Sequence, residues 1–440
     1  MTKMARKNET SLGRRRLILG LGAGLGGSVV ARVSPAAEGQ GPAHPPHVAD
    51  APTGHEVRQD AWPFYGKVQQ GVVTPRPANG MVAAFSVLAK TPGDLEAMFR
   101  LLTERILFLT QGGAVPELDP RLPPPDSGIL GPVIAPDNLT ITVSLGSSLF
   151  DDREWLKPHQ PRRLQRMTKF RNDALSADIC HGDMLLQFCA NTPDTNIHAL
   201  RDILKTMSAH LVLRWKQEGN VPVVPPKPDG STESARNFLG FRDGSANPDS
   251  NDGDLMAETV WVGTERDEPE WARNGTYQAV RIIRNFVERW DRTPLREQER
   301  IIGRNKASGA PLDSGTEADV PAYEKDPDGK ITPLDAHIRL ANPRTPESRK
   351  NLMLRRPFNY SNGVTKSGQL DQGLLFISFQ ADLEKGFIAV QRRLDGEPLE
   401  EYLKPVGGGY FYVLPGAPAA DTYLGETLIR AACRTTACPT

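Results

Sequence analysis

An acidic turn near the middle of the chain contains the residue types that proton transfer requires. Residues 237–248 read Asn-Phe-Leu-Gly-Phe-Arg-Asp-Gly-Ser-Ala-Asn-Pro, so Arg242 and Asp243 lie between two glycines. Asp-Gly indicates a turn, and Asn-Pro ends the segment. Because apolar residues precede the turn, we expect it to be held inward rather than fully solvated. A carboxylate beside backbone that can approach a ligand closely suits a proton-handling site.

Two other polar segments stand out in the second half of the chain. His337 lies in Leu-Asp-Ala-His-Ile-Arg-Leu-Ala-Asn-Pro-Arg, a short structured stretch that Asn342-Pro343 ends. Taken alone, this pattern favours a structural or surface histidine over a metal ligand. The pair Arg355-Arg356 follows a leucine and precedes Pro-Phe. Surface arginines are the ordinary case, but a carboxylate or an anionic cofactor could hold one of the two inward.

The composition limits the class of protein that these residues serve. The chain has 440 residues, with 53 Lys and Arg against 53 Asp and Glu, so its formal net charge is zero. A nucleic-acid partner is not indicated, because phosphate binding normally requires a basic excess or stripe. The length allows two or more domains, and 38 prolines with 40 glycines predict many irregular connections.

The N-terminal residues have the pattern of an export signal. Three arginines at 14–16 precede a glycine-rich apolar run and a small-residue stretch, which predicts a twin-arginine signal peptide over residues 1–37. The apolar run is too short and too rich in glycine to favour a membrane span. We therefore expect a periplasmic or extracellular protein with no transmembrane segment in its mature chain. Residues 38–75 lack periodicity and are interpreted as a linker or extended arm.

The four cysteines do not have the spacing of a zinc or haem-attachment motif. Cys180 and Cys189 lie in apolar sequence and are predicted to be buried thiols. Cys433 and Cys438 could form a small disulfide loop in an oxidising compartment.

The elements around these segments form two similar sets. In the first set, strands are predicted at 81–88, 139–145, 184–190 and 211–215, with amphipathic helices after the first and third strands. In the second, strands are predicted at 259–262, 277–283, 373–379 and 410–414, with helices at 294–302 and 382–394. The order strand-helix-strand-strand-helix-strand of the first set predicts a split βαβ arrangement with antiparallel sheets, and its recurrence predicts a duplicated α+β protein with domains at 76–225 and 226–440.

Several ordered motifs together resemble the dye-decolourising (DyP-type) haem peroxidases. They are Gly-Phe-Arg-Asp-Gly with Ala-Asn-Pro at 240–248, the segments around His337 and Arg355, and Gly-Gly-Gly-Tyr-Phe at 407–411. The resemblance extends from about residue 75 to 425 and is strongest to the exported deferrochelatase/peroxidase branch of bacterial iron uptake systems. Pro357 departs from the family pattern, in which glycine often follows the two arginines.

This resemblance implies a fold of two ferredoxin-like domains and a noncovalent haem b held mostly by the second. It implies that His337 is the proximal iron ligand, Asp243 the distal acid and Arg355 the distal arginine. It further implies that the haem is lined by Gly244, Ser245, Ala246, Asn342, Pro343 and Arg344, with Arg344 pairing with a propionate. A carboxylate should accept the second imidazole N–H, and Asp395 and Glu397 both remain possible partners.

The implied activity is reduction of hydrogen peroxide through a ferryl intermediate, with oxidation of an organic or metal-ion donor. An acidic optimum is expected for a carboxylate base. The first alternative is deferrochelatase activity, which releases iron from haem and leaves the porphyrin intact, or Fe(II) oxidation for import. The second alternative is a non-enzymatic haem-binding or delivery protein. Iron-uptake proteins and a second copy of the chain are possible partners.

Overall fold

Two sets of four antiparallel strands form the framework of the protein. The computed structural model describes residues 60–117, 119–228 and 233–435. The predicted signal peptide, most of the predicted arm and Cys438 lie outside the described residues, so the predictions about them are untested. Cys180 and Cys189 are buried free thiols, as predicted.

The first set of strands has the ferredoxin-like order. Its elements are β1 Asn79–Val87, α1 Pro92–Gln111, β2 Thr140–Gly146, β3 Met184–Ala190, α2 Pro193–Thr206 and β4 Leu211–Asn220. The strands lie in the order β2-β3-β1-β4, and neighbours pair antiparallel. This is the split βαβ arrangement that the sequence predicts. A two-stranded ladder of Gly113–Ala114 and Val133–Ile134 lies between α1 and β2.

Helix α1 forms where local signals and apolar spacing agree. Thr91 and Asp94 form a reciprocal capping box at its start, and Pro92 occupies the first turn, where its missing N–H costs nothing. Its buried face repeats every three or four residues and consists of Leu95, Met98, Phe99, Leu102, Ile106 and Leu109. Helix α2 begins in a similar way, with Thr192 as its cap.

The second set repeats this order with different connections. Helix α3 Gly253–Thr259 precedes β5 Thr276–Asn285, and α4 Leu295–Ile302 and α5 His337–Ala341 lie between β5 and β6 Phe358–Val364. Strand β7 Leu370–Gln380, a π-helical turn Glu384–Ile388, α6 Ala389–Leu394, β8 Leu403–Val413 and α7 Glu426–Thr435 follow. The strand order is β8-β5-β7-β6, again ferredoxin-like. The described residues also contain three short helices and one further short strand: Ser147–Asp151, Val287–Trp290, Pro346–Arg349 and Leu354–Arg355.

Two strand assignments differ from the sequence prediction. The strand predicted at 259–262 is wrong, because Thr259 ends α3 and the following residues turn. The valines of that segment suggested a strand, but Val260 and Val262 are buried in a turn instead. Strand β6 was not predicted, since Asn359, Asn362 and Gly363 make its sequence look like a loop.

The two halves join into one closed ring of eight strands. Strand β5 pairs with both β7 and β8, β8 pairs with β2, and β4 meets β6 through Asn220 and Asn359. Side chains from both halves fill the interior of the ring, among them Val82, Leu185, Val280, Ile282, Phe358, Leu375 and Phe411. A polar bridge also crosses it: Gln278 donates to Gln187 at 3.0 Å and accepts from Ser144 at 2.7 Å.

The described part of the predicted arm packs against both halves. Gln69 is buried and hydrogen-bonds to the backbone of Val143 and of Leu414. Among the described residues, no helix combines the length and apolar character needed to cross a membrane. Each half contributes four neighbouring strands to the ring, and the domain boundary predicted near residue 225 stays a prediction.

Candidate active site

A cavity lies on the outer face of the β5-β7 region, where short helices and loops cover the sheet. All but one of the predicted site residues contribute to its lining: Asp243, Gly244, Ser245, Ala246, His337, Asn342, Arg344 and Arg355. The exception is Pro343, which follows α5 without lining the cavity. One end of the cavity is apolar and includes Ile283, Leu374, Phe376, Phe387 and Leu394.

Helix α5 holds His337 at the cavity wall even though it is only five residues long. Arg339 donates to the carbonyls of Asp326 and Thr332, both at 2.8 Å, which anchors the helix to the preceding loop. Arg393 donates to the carbonyls of Leu340 and Ala341, so it satisfies the end of the helix that would otherwise lack partners. The short helix is therefore fixed by two arginines rather than by its own length.

A glycine permits the close packing of α4 on α5. Gly303 ends α4 at φ 91°, a left-handed conformation that glycine adopts without strain. A Cβ at this position would lie 2.7 Å from Ile338. Any larger residue at 303 would therefore have to displace the side chain of Ile338, next to His337.

The imidazole of His337 is oriented by a buried carboxylate. Its Nδ1 lies 2.7 Å from Oε2 of Glu397, whose side chain is 5% exposed, whereas a third of the His337 side chain remains exposed toward the cavity. A carboxylate at Nδ1 fixes the tautomer that carries its proton there, which leaves the Nε2 lone pair free. Of the two partners that the sequence left open, Glu397 makes this contact.

The charges around His337 act on its protonation in opposite directions. Burial disfavours the imidazolium, but the carboxylate of Glu397 and its hydrogen bond outweigh burial, so the pKa of His337 is raised above its ordinary value. Arg355 lowers and Asp243 raises the same pKa by smaller amounts. The pair Asp243–Arg355 therefore lies close enough to His337 to be felt electrostatically.

Asp243 and Arg355 form an ion pair within the cavity wall. Oδ1 of Asp243 lies 2.9 Å from Nη1 of Arg355, and their side chains are 13% and 29% exposed. Asn237 contributes a long contact of 3.5 Å to the other carboxylate oxygen. The carboxylate consequently keeps capacity to accept a further hydrogen bond from a small molecule in the cavity.

Asn247 fastens the acidic turn to the strand that carries Arg355. Its side-chain amide donates to the carbonyl of Arg355 at 2.9 Å and accepts from the N–H of the same residue at 2.8 Å. The backbone N–H of Asp243 donates to Ala235 at 2.8 Å on the other side of the turn. This asparagine is a site residue that sequence analysis treated only as a turn signal.

The residues around the turn separate into inward and outward groups. Leu239 and Phe241 are buried, as expected, but Phe238 is 38% exposed. Arg242 also lines the cavity, but its guanidinium pairs with Glu233 and not with Asp243. It is thus a structural residue of the turn, and the carboxylate is the group that faces Arg355.

Arginines surround an unsatisfied hydroxyl at a cationic end of the cavity. Tyr323 is 6% exposed and lines the cavity, and its hydroxyl has no hydrogen-bond partner among the described residues. Burial raises the pKa of Tyr323 to about 12, although Arg344, Arg304 and Arg339 oppose the shift. The hydroxyl therefore stays neutral and is available as a donor.

Arg344 has an unusual backbone conformation at this cationic end. It lies at φ 62°, a conformation that few residues other than glycine adopt, and its N–H donates to the side chain of Asn342 at 3.1 Å. Ser348 donates to the same oxygen of Asn342 at 3.2 Å. Such backbone conformations persist where the surroundings enforce them, often at binding sites. Sequence analysis identified Arg344 but missed Tyr323 and Arg304, which no local motif marks.

The sequence matches two family descriptions that together cover most of the chain. Residues 69–220 match "Dyp-type peroxidase, N-terminal", and residues 234–418 match "Dyp-type peroxidase, C-terminal". A curated protein named deferrochelatase, from Escherichia coli O6:K15:H31, is 56% identical over 425 residues, covering 96% of this chain and 98% of that protein. A deferrochelatase from Shigella boydii is 58% identical over 376 residues, or 85% and 89% of the two chains.

Solved structures agree in fold with this assignment. A DyP-type peroxidase from Streptomyces coelicolor superposes with a TM-score of 0.74 at 32% identity, covering 85% of this chain and 98% of that one. Ferric DtpA from Streptomyces lividans has the same TM-score and identity, with 84% and 97% covered. The chain therefore belongs to the Dyp-type peroxidase family, whose members are haem-dependent oxidoreductases.

Proposed function

We propose that this protein binds haem b noncovalently in the cavity and reduces hydrogen peroxide at the expense of an organic or metal-ion donor. One observation carries the proposal. A histidine oriented by Glu397 shares a cavity with a carboxylate–guanidinium pair that acts on it electrostatically. A proximal imidazole with a hydrogen-bonded second nitrogen is a common haem iron ligand, and acid–base groups near the iron suit peroxide chemistry.

The distribution of apolar and cationic residues in the cavity matches the apolar and anionic parts of a haem. Its apolar end, with Phe376 and Phe387, suits the hydrocarbon edge of a porphyrin. Its cationic end offers the exposed Arg344 and the unpartnered hydroxyl of Tyr323, which suit the two propionates. His337 would hold the iron through Nε2, and Gly244, Ser245, Ala246 and Asn342 would line the macrocycle.

A bound haem would supply the redox chemistry that reduces the peroxide by two electrons. Asp243 accepts the proton from one peroxide oxygen and returns it to the other, so that the O–O bond breaks with water as the leaving group. Arg355 pairs with this carboxylate and donates to the oxygen on which negative charge develops. Water-excluding residues such as Phe241 and Leu239 border the same side of the cavity.

Replacement of the distal acid tests this proposal. Asp243→Ala should retain haem, because His337 and Glu397 are unchanged, but should slow the stopped-flow reaction with one equivalent of hydrogen peroxide by about 100-fold or more. Arg355→Ala is the matched variant. If Asp243→Ala reacts at the wild-type rate and Arg355→Ala does not, the arginine is the main distal catalyst and the proton-transfer role of Asp243 is wrong.

Deferrochelatase activity is the second candidate, favoured by the names of relatives that are 56% identical over nearly the whole chain. In that reaction iron leaves the porphyrin and two protons take its place on the pyrrole nitrogens. Appearance of free protoporphyrin fluorescence after incubation with haem and a reductant would support it. A simple haem carrier is less favoured, because it gains little from burying Asp243 beside Arg355.

The cellular setting follows from the same resemblance. We infer export by the twin-arginine route to the periplasm or the outside, where iron-uptake proteins would be partners. The route can be checked with a variant that combines Arg14→Lys, Arg15→Lys and Arg16→Lys. Folded protein should then be retained in the cytoplasm. Gel filtration of the mature protein would decide whether it forms a homodimer.

A further inference from the structure

A partly buried carboxylate from a distant loop contacts the acidic turn. Oε1 of Glu317 accepts a hydrogen bond from the hydroxyl of Ser245 at 2.8 Å. The backbone N–H of Ser234, on the facing segment, donates to both carboxylate oxygens at 3.2 and 3.4 Å. Glu317 therefore ties two segments together at the rear of the turn, although it lies more than seventy residues further along the chain.

The same carboxylate balances the arginine next to Asp243. Nε of Arg242 lies 3.4 Å from Oε2 of Glu317, and the two side chains are only 8% and 16% exposed. Arg242 also pairs with Glu233, which in turn pairs with Lys227 nearer the surface. A cation this poorly solvated needs a fixed counter-charge. Glu317 provides one on the side of the turn away from the cavity.

The loop that carries Glu317 is itself held from the cavity side. Arg304, which is 5% exposed and lines the cavity, donates to the carbonyls of Gly309 at 2.6 Å and Glu317 at 3.0 Å. The cavity wall and the rear of the turn are thus parts of one hydrogen-bonded unit. A displacement of Glu317 would be passed to Ser245 and to the turn backbone.

We propose that Glu317 is a positioning residue for the distal side of the haem site. It fixes Ser245 and the backbone of Gly244 and Ala246, and it holds Arg242 away from Asp243, so that Asp243 keeps its geometry with Arg355. This inference rests on the proposed haem peroxidase function but concerns a residue that does not touch the cofactor. Ser245 then contributes through its backbone to the cavity, because its hydroxyl is engaged by Glu317.

A double-mutant cycle tests the proposal with two readouts on the haem-reconstituted full-length protein. Glu317→Ala, Ser245→Ala and the double variant are compared for the rate of reaction with hydrogen peroxide and for the affinity of the ferric protein for fluoride, a small distal hydrogen-bond acceptor. In each single variant, the reaction rate and the fluoride affinity should both fall at least tenfold. The double variant should be no more impaired than the more impaired of the two single variants. The proposal would be overturned if the two single losses of rate or affinity multiply in the double variant. It would also be overturned if Glu317→Ala changes both quantities by less than twofold.

Two control variants separate positioning from general stability. Glu317→Gln keeps the acceptor for Ser245, so it should recover most of the loss seen with alanine. Glu233→Gln removes the other carboxylate from Arg242 without contacting Ser245 and should leave fluoride affinity within twofold. If Glu317→Ala does not fold, Ser245→Ala and Glu317→Gln still decide the matter: equal values for Ser245→Ala and wild type refute the proposal. Slow peroxide reaction of the wild type would reject the proposed function, whereas the fluoride cycle would still decide the role of Glu317.

Discussion

The two halves of the ring share a strand order but treat the outer face of their sheets differently. In the first half, α1 and α2 cover the sheet, and residues such as Phe99, Leu102 and Ile203 are fully buried against it. In the second half, the equivalent face of β7 presents Leu374 and Phe376, which remain partly exposed toward the cavity. The same fold therefore provides a filled core on one side and a binding site on the other.

The difference arises in the connection between the first two strands of each half. In the first half that connection contains α1, a 20-residue amphipathic helix. In the second half it contains α4, α5 and long irregular segments, and α5 carries His337. Replacing one continuous helix by short pieces leaves room beside the sheet and brings polar side chains to it. The site therefore arises from the segments that cover the sheet, and not from the sheet itself.

The largest expected effect is the loss of the cofactor from the second half alone. His337→Ala removes the side chain proposed to bind iron, so the purified protein should lack bound haem and a Soret band. His210→Ala, in the first half beyond α2, is the matched control and should retain a full haem complement. Normal haem content in His337→Ala would mean that the ligand assignment is wrong and that the comparison of the halves fails.

A matched pair of leucines compares the filled and the open face. Leu102→Ala should lower the free energy of unfolding of the haem-free protein by about 2–5 kcal/mol, because the side chain is fully buried in the first half. Leu374→Ala should cost less than half as much, because its side chain already borders the cavity. Denaturant titration of the two variants measures both values. Equal losses would show that the second face is as well packed as the first.

A smaller effect is expected at the cationic end of the cavity. Tyr323→Phe removes one hydroxyl that is proposed to donate to a haem propionate, and haem affinity should fall about tenfold. Absorbance titration of haem-free protein measures the change. Haem dimethyl ester is the control ligand, since esterified propionates are poorer acceptors and should reduce the difference between Tyr323 and phenylalanine. An equal loss of affinity for haem and for its dimethyl ester would mean that the hydroxyl does not donate to a propionate.

The smallest effect concerns pH. The raised pKa of His337 means that, as pH falls through this value, the imidazole of the haem-free protein becomes protonated and iron must displace a proton to bind. Haem affinity should therefore begin to fall at a pH above the ordinary histidine pKa of about 6.5. Glu397→Gln removes the carboxylate that raises the pKa, so the fall should begin at a lower pH. An unchanged pH dependence in that variant would separate Glu397 from the protonation of His337.

Local signals predicted much of the fold. The apolar spacing from Leu95 through Leu109 identified α1, and alternation identified β2. The sequence did not predict strand β6, because its pairing with β7 outweighs the low strand preference of Asn359 and Gly363. The ring itself could not be predicted, since it depends on pairing between residues such as Ser144 and Val413 that lie far apart in sequence.

The candidate site divides in the same way. Asp243, His337 and Arg355 were found because each lies in a recognisable local motif that resembles the family pattern. The choice between Asp395 and Glu397 required the structure, because the turn at Gly396 directs only one of the two toward His337. Tyr323, Arg304 and Glu317 lie in irregular segments without periodicity. Their contribution comes from burial and charge in three dimensions, which no local pattern encodes.

The ring has a consequence for the order of events during synthesis. Strand β2 of the first half has β8 as a neighbour, and Gln69 bonds to Leu414 just beyond β8. The first half therefore leaves the ribosome before its edge partner has been made, and an uncovered strand edge is prone to pair with other chains. We expect the nascent first half to depend on chaperones until the last strand is translated. Folding should then conclude with a slow, non-local pairing step.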